Sequence, residues 1–324
     1  LSIQPDTEIP DTWHDSTLTL EDIRGQESAK RALIIAAAGK HNVMLVGPPG
    51  TGKTMLARAL RSLLPPLTRE ESLAVTAIHS LAGQESVISS RPPFRAPHHT
   101  ASHVALVGGG ANPKPGEITL AHKGVLFMDE FPEFERRSLD ALRQPLEERV
   151  VTISRVQGNA EFPADFILVA ALNPYRGQED GTTDLLGAMN TTYKNKVSGP
   201  ILDRIDIWVE VPHVDFDTLQ NIPKKEGETE RAREQILTAR NSMLKRNGEN
   251  LINAHLSAKD IDATITINES VNELLRRANQ KLNLSPRSYH KLLKVARTIA
   301  DLTGSQHIEE PHVLEALQYR VPSL

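Results

Sequence analysis

The stretch Gly47-Pro-Pro-Gly-Thr-Gly-Lys-Thr54 decides how the rest of the chain is read. It fits the pattern G-x-x-x-x-G-K-S/T, and it lies between the apolar run Val43-Met-Leu-Val46 and a stretch of helical periodicity that starts at Lys53. That is the strand–loop–helix setting the pattern requires. The glycines let consecutive backbone N–H groups turn inward around phosphate oxygens, and a helix opening at Lys53 adds the positive end of its dipole. Lys53 is expected to reach the β- and γ-phosphates of a nucleotide, and the Thr54 hydroxyl to ligate Mg²⁺. Gly47, Pro48, Pro49, Gly50, Thr51, Gly52, Lys53, Thr54 and Met55 are therefore the expected binding residues, with ATP and Mg²⁺ as the cofactors. A glycine-rich turn without chemistry is the competing reading, and the flanking strand and helix weigh against it.

Downstream, Val125-Leu-Phe-Met-Asp129-Glu130 is an apolar run ending in two carboxylates. At the C-terminal edge of a strand, Asp129 would hold the metal through its water shell, and Glu130 would polarise the attacking water. A strand that ends in solvated acids is the plain alternative, and the phosphate loop upstream favours the catalytic one. A third apolar run, Phe166-Ile-Leu-Val-Ala-Ala-Leu172, is followed by Asn173-Pro174. An Asn at that place can sense a γ-phosphate or orient the water, and Asn-Pro is equally a turn initiator.

These short apolar runs, bounded by turn residues and separated by helical stretches, predict buried strands of a parallel sheet with crossover helices. The fold expected is an α/β P-loop NTPase core over residues 19–214, preceded by a polar linker at 1–18. Asp, Pro, Lys and Gly cluster without periodicity near 215–229, which reads as a second linker. Residues 230–324 carry helical patterns and almost no strand signal, so a small all-helical lid domain follows. Within it Ser285-Pro286 is an N-cap with proline at the first helical position.

Composition excludes several classes. The 324 residues hold no cysteine, which removes disulfides and thiolate metal sites and fits a cytoplasmic protein. No run of about 18 apolar residues occurs, so no membrane partner is expected. A net charge of −4 argues against a surface that coats nucleic acid indiscriminately and leaves room for a local basic channel. The chain starts at Leu1 rather than Met, as a piece of a longer chain would, and its start lacks the charged and apolar regions of a secretory signal.

Two arginines are candidates for a phosphate. Arg204, in Leu202-Asp-Arg-Ile-Asp206, follows a Gly-Pro turn and suits an arginine finger; a surface ion pair with Asp203 or Asp206 is the alternative. Arg287, in Leu284-Ser-Pro-Arg-Ser288, opens a lid helix and either reaches nucleotide from there or is solvated.

These parts in this order resemble an AAA+ ATPase. The likeness narrows at Arg91-Pro-Pro-Phe-Arg-Ala-Pro-His-His-Thr-Ala-Ser102, Leu106-Val-Gly-Gly-Gly110, Leu142-Arg-Gln-Pro-Leu-Glu147 and Val151-Thr-Ile-Ser-Arg155 to the magnesium-chelatase-like group and its YifB/ComM branch. The resemblance runs from about residue 20 onward. It implies a homo-hexamer with nucleotide between subunits, Arg204 as the finger given to a neighbour, Asn173 as the first sensor and Arg287 as the second. It also implies two insertions: one near 91–117 that interrupts the helix after the second strand, and a hairpin near 150–162. In related rings such insertions point into the pore and grip DNA. The function implied is an ATP-driven DNA translocase or branch-migration helicase in recombination of incoming DNA during natural transformation. A metal-chelatase ATPase subunit and a protein-remodelling chaperone are the alternatives, since all three share the motor.

The chain departs from the family in two ways. An N-terminal Lon-like domain, common in relatives, would end just before this sequence starts. The four cysteines often found after the Asn-Pro are absent from residues 175–196, so no zinc is expected there. Four histidines, His98, His99, His103 and His122, show no convincing metal-ligand spacing. Arg95, Lys114, Lys123 and Arg155 are the candidates for DNA phosphate contacts.

Overall fold

The computed structural model describes residues 13, 18–84, 87–110, 113–155, 158–173, 197–215, 225–248 and 251–320. A five-stranded parallel sheet forms the centre, in the order β2-β5-β8-β1-β9. Its strands are β1 (Val43–Val46), β2 (Phe94–Arg95), β5 (Val125–Met128), β8 (Ile167–Leu172) and β9 (Ile207–Glu210). Every residue of β1, β5 and β8 is buried, which is why the sequence there reads as unbroken apolar runs rather than as alternation. The pleat divides those residues between two cores. Val43 and Leu45 pack with Val169 and Ala171 on one face, while Met44 and Val46 pack with Leu168 and Ala170 on the other.

On the first face lie α1 (Glu27–Gly39) and α2 (Lys53–Leu63), followed in the chain by α3 (Arg69–Leu81). After β2 comes an excursion made of α4 (His103–Val107), an antiparallel pair β3 (Gly108–Gly109) and β4 (Lys114–Pro115), and α5 (Glu117–Leu120). Beyond β5, α6 (Arg136–Asp140) and α7 (Arg143–Glu148) lead into an antiparallel hairpin of β6 (Val150–Arg155) and β7 (Gly158–Pro163). The short helix α8 (Gly199–Leu202) precedes β9.

The remaining helices are α9 (Glu228–Asn247), α10 (Ala258–Thr264), α11 (Glu269–Leu282), α12 (Pro286–Leu302) and α13 (Glu310–Gln318). The Ser285 hydroxyl caps α12 by accepting from the Ser288 N–H at 3.2 Å. Ala232, Ile236, Val295, Ala296 and Ile299 share one core with α1, so the helical part is docked on the first face rather than tethered to it. Lys30 to Glu228 at 2.7 Å and His41 to Thr298 at 2.8 Å add polar ties across that contact.

Two strands carried no legible signal. β2 is an edge strand of two residues, Phe94 and Arg95, paired with Val125 and Leu126. It falls inside the stretch expected to be an insertion, so the excursion begins after β2. β9 is held by pairing with β1 and by Trp208, whose backbone N–H donates to the Tyr319 carbonyl at 2.8 Å. The cysteine-free segment at 175–196 and most of the linkers at 1–18 and 215–229 lie outside the described residues. No described helix is long and apolar enough to cross a membrane.

Candidate nucleotide site

The phosphate loop leaves β1 at the C-terminal edge of the sheet. Gly47 passes so close to β9 that an added Cβ would sit 2.1 Å from the Val211 carbonyl oxygen, so only glycine fits. Its N–H donates to the Leu172 carbonyl at 3.1 Å, which ties the loop to the end of β8. Gly50 and Gly52 have φ of +80° and +92°, and a Cβ at either would meet nothing within 4 Å. These two positions therefore supply the left-handed turns of the loop and face open space, the shape of an anion cradle.

Lys53 opens α2 and is 6% exposed. Its ammonium donates to the carbonyls of Gly47 and Pro48, both at 2.7 Å. Burial pushes its pKa down, and the Asp129 carboxylate opposes that. The Thr51 hydroxyl donates to Pro48 O at 3.0 Å and stiffens the loop. Thr54 is exposed beside it, and its hydroxyl donates to Asp129 Oδ2 at 3.3 Å. Met55, 40% exposed, follows on the same helix.

Asp129 and Glu130 stand just past β5. Asp129 Oδ1 accepts from the Glu130 N–H at 2.9 Å, and Glu130 takes a φ of +49°, a conformation that L side chains rarely adopt. Its carboxylate meets His99 Nδ1 at 3.1 Å, and the His99 ring lies 4.2 Å from that of His98. Asn173 directly follows Leu172 at the end of β8, next to the strand that launches the loop. The structure thus gathers Gly47, Pro48, Pro49, Gly50, Thr51, Gly52, Lys53, Thr54, Asp129, Glu130 and Asn173 at one sheet edge. A threonine hydroxyl and a carboxylate, both hard oxygen donors, suit a divalent cation such as Mg²⁺.

Arg204 and Arg287 are elsewhere. They line a cavity of about 620 Å³ with Asn42 and Asp206, which precede β1 and β9 and so mark the opposite, N-terminal edge of the sheet. Four residues of β1 separate the two edges, roughly 13 Å of strand. Neither guanidinium therefore belongs to the loop of its own chain. Asn42 organises this edge: its side chain donates to the Arg204 carbonyl at 3.0 Å and accepts from the Leu168 N–H at 2.9 Å. Nothing in the sequence singled out Asn42, Glu147 or the His99–Glu130 contact, because each depends on a partner distant in the chain.

Two of the cations expected to face DNA are otherwise engaged. Arg95 makes a two-pronged pair with Glu117 at 2.6 and 2.7 Å, and Lys123 pairs with Asp165 at 3.0 Å and Glu71 at 3.2 Å. They hold the excursion and the sheet edge together. Lys114 is exposed on β4, and Arg155 ends β6 at the hairpin turn. The four histidines also separate. His98 and His99 lie ring to ring, tilted by 33°, beside Glu130, His103 opens α4, and His122 Nδ1 accepts from the Asp165 N–H at 3.0 Å. Among the described residues no group of three His, Asp or Glu side chains could hold a metal ion.

The family model for magnesium chelatase, subunit ChlI, matches residues 19–219, and that for its C-terminal part matches 226–320. The chain belongs to the magnesium-chelatase family of AAA+ ATPases. It is 50% identical to competence protein ComM of Haemophilus influenzae over 94% of its own length and 60% of that protein's. It is 45% identical to YifB of Escherichia coli, an uncharacterised protein, over 93% of this chain and 60% of that one. The magnesium-chelatase 67 kDa subunit of Heliobacterium mobile is 28% identical over 62% of this chain and 35% of the other. The chain spans about 60% of the length of the first two relatives. Membership supports ATP hydrolysis as the chemistry of the loop.

Proposed function

We propose that this chain hydrolyses Mg-ATP as one subunit of a homo-hexameric ring that moves on single-stranded or branched DNA in the cytoplasm. The observation that carries the ring reading is the separation just described. The loop, the acidic pair and Asn173 lie at one sheet edge, and both arginines lie at the other. A site that uses all of them takes the loop from one subunit and the arginines from the next.

In that site the backbone N–H groups of 50–54 and the Lys53 ammonium bind the phosphates, the ammonium exchanging its two loop carbonyls for phosphate oxygens. Thr54 and Asp129 would hold Mg²⁺, which supplies charge neutralisation at the phosphates. Glu130 accepts a proton from the attacking water, and Asn173 orients that water. Arg204 and Arg287 of the neighbour stabilise charge on the transferred group. The Glu130 carboxylate lies 3.1 Å from His99 Nδ1.

The DNA reading is supported by the likeness to a competence protein at 50% identity, against 28% for a magnesium-chelatase subunit. The β6–β7 hairpin and the β3–β4 pair would be the elements that face the strand, with Lys114 and Arg155 as contacts. The chelatase-type reading keeps the same motor and replaces DNA by a protein partner. ATP turnover measured with and without forked and single-stranded DNA separates them. Stimulation that fades as salt rises is expected; turnover indifferent to every DNA structure would reject the DNA reading and leave the partner-remodelling one.

A further inference from the structure

The two arginines meant for a neighbouring phosphate are held by a single carboxylate. Glu147 Oε1 accepts from Nη2 of Arg204 and from Nη2 of Arg287, the latter at 3.0 Å. Arg204 also donates to the Pro200 carbonyl, yet its Nε is buried without a hydrogen-bond partner although the side chain is only 9% exposed. A guanidinium with a buried, unused N–H has not reached its best partner set. Glu147 itself is 49% exposed, so water, salt or a competing anion can displace it. A phosphate is such an anion, and it accepts more charge-assisted hydrogen bonds than one carboxylate.

The helix that carries Glu147 is tied to the hairpin. Gln144, three residues earlier on α7, donates from Nε2 to Thr152 Oγ1 at 3.0 Å and accepts from the Thr152 N–H at 3.3 Å. Thr152 lies in β6, and Arg149, with a φ of +60°, turns the chain directly from α7 into that strand. Positions three apart on a helix share a face, so Gln144 and Glu147 shift together when the hairpin tilts. One short lever thus links the hairpin to both arginines.

We propose that Glu147 is a latch. It parks Arg204 and Arg287 while the hairpin is free, and a DNA strand that displaces the hairpin withdraws the carboxylate through Gln144 and α7, releasing both arginines to the neighbour's phosphates. The inference rests on the reading that these arginines act between subunits. Glu147 is a positioning residue in this scheme and touches no substrate.

The test uses the full chain in a Glu130→Gln background, which holds nucleotide without turning it over, and a fluorescent ATP analogue as probe. Glu147→Gln keeps the shape and removes the charge. Two ion pairs of surface strength are lost with it, so the analogue should bind about fivefold more tightly. The gain should vanish when Arg204→Ala is added. Unchanged or weaker binding, or a gain that survives Arg204→Ala, overturns the latch. Gln144→Ala leaves the latch closed and cuts the lever: affinity without DNA should match the parent, and single-stranded DNA should no longer raise it. A DNA response equal to the parent's overturns the lever. If the parent itself ignores DNA, the DNA reading and the hairpin step fall together, while a gain in Glu147→Gln, which needs no DNA, still supports the latch.

Discussion

The Thr54 hydroxyl donates to the Asp129 carboxylate 3.3 Å away, although 75 positions separate the two in the chain. The contact joins the first turn of α2 to the end of β5 and sets two oxygen donors side by side at the mouth of the loop. Asp129→Asn keeps the geometry and removes the charge. It should raise the Mg²⁺ concentration needed for half-maximal ATP turnover by about 10–100-fold. A Mg²⁺ titration that overlays the parent curve would remove Asp129 from the metal site.

The arginine pair at the far sheet edge leads to a mixing prediction. Lys53→Ala should abolish nucleotide binding. Glu130→Gln should bind ATP and lose turnover by about 10²–10⁴-fold, the range for a missing general base. Arg204→Ala should also bind and lose turnover by about 10³-fold or more. Mixed Glu130→Gln and Arg204→Ala subunits should recover part of the activity, because some junctions pair an intact loop with an intact finger. If no mixing ratio recovers any, the finger does not act between subunits.

Stability of the helical part should hinge on Asp301. This carboxylate is 1% exposed and accepts from Arg246 at 2.6 and 2.8 Å, from Arg297 at 3.0 Å and from Asn253 at 2.9 Å. Asp301→Ala strands the Arg297 guanidinium, itself 2% exposed, without a counter-charge. Removing one partner of a buried pair costs about 3–5 kcal/mol. Denaturant unfolding that registers a loss of only about 1 kcal/mol, a surface-pair value, would contradict this.

Acid should weaken the fold through His122. Burial holds its pKa down to about 4, and Asp165 only partly offsets that. Protonating Nδ1 would also break the bond it accepts from the Asp165 N–H. The unfolded chain, with an ordinary His pKa of about 6.5, takes up the proton first, so stability is full above that pH and falls as pH drops toward 4. The loss for this one residue is on the order of 3 kcal/mol across the window. His122→Gln, which keeps an acceptor and cannot titrate, should flatten the slope of melting temperature against pH between pH 7 and 4; an unchanged slope would clear His122 of the effect.

How legible each part was depended on how local its cause is. The loop, the runs Val43–Val46 and Val125–Met128, and the cap at Ser285 were readable because neighbours in the chain create them. Phe94–Arg95 was not, since a two-residue edge strand has no period and exists only through pairing with Val125 and Leu126. Arg95 and Lys123 looked like free cations because Glu117 and Asp165, their partners, lie 22 and 42 positions away.

By itself the sequence determined the phosphate loop, the acidic pair, the parallel-sheet class and the family. Glycines at 47, 50 and 52, buried apolar runs and caps each act over a few residues, and their physics survives without tertiary context. Only the tertiary structure decided which groups belong to one site. It put Thr54, Asp129 and Glu130 at one end of the strands and Arg204 and Arg287 at the other, held by Glu147. Strand direction is the reason for all of these but Arg287, which helix α12 carries there: in a parallel sheet every strand ends on the same side. A group just past a strand therefore joins the loop, and one that lies just before a strand is carried to the opposite edge.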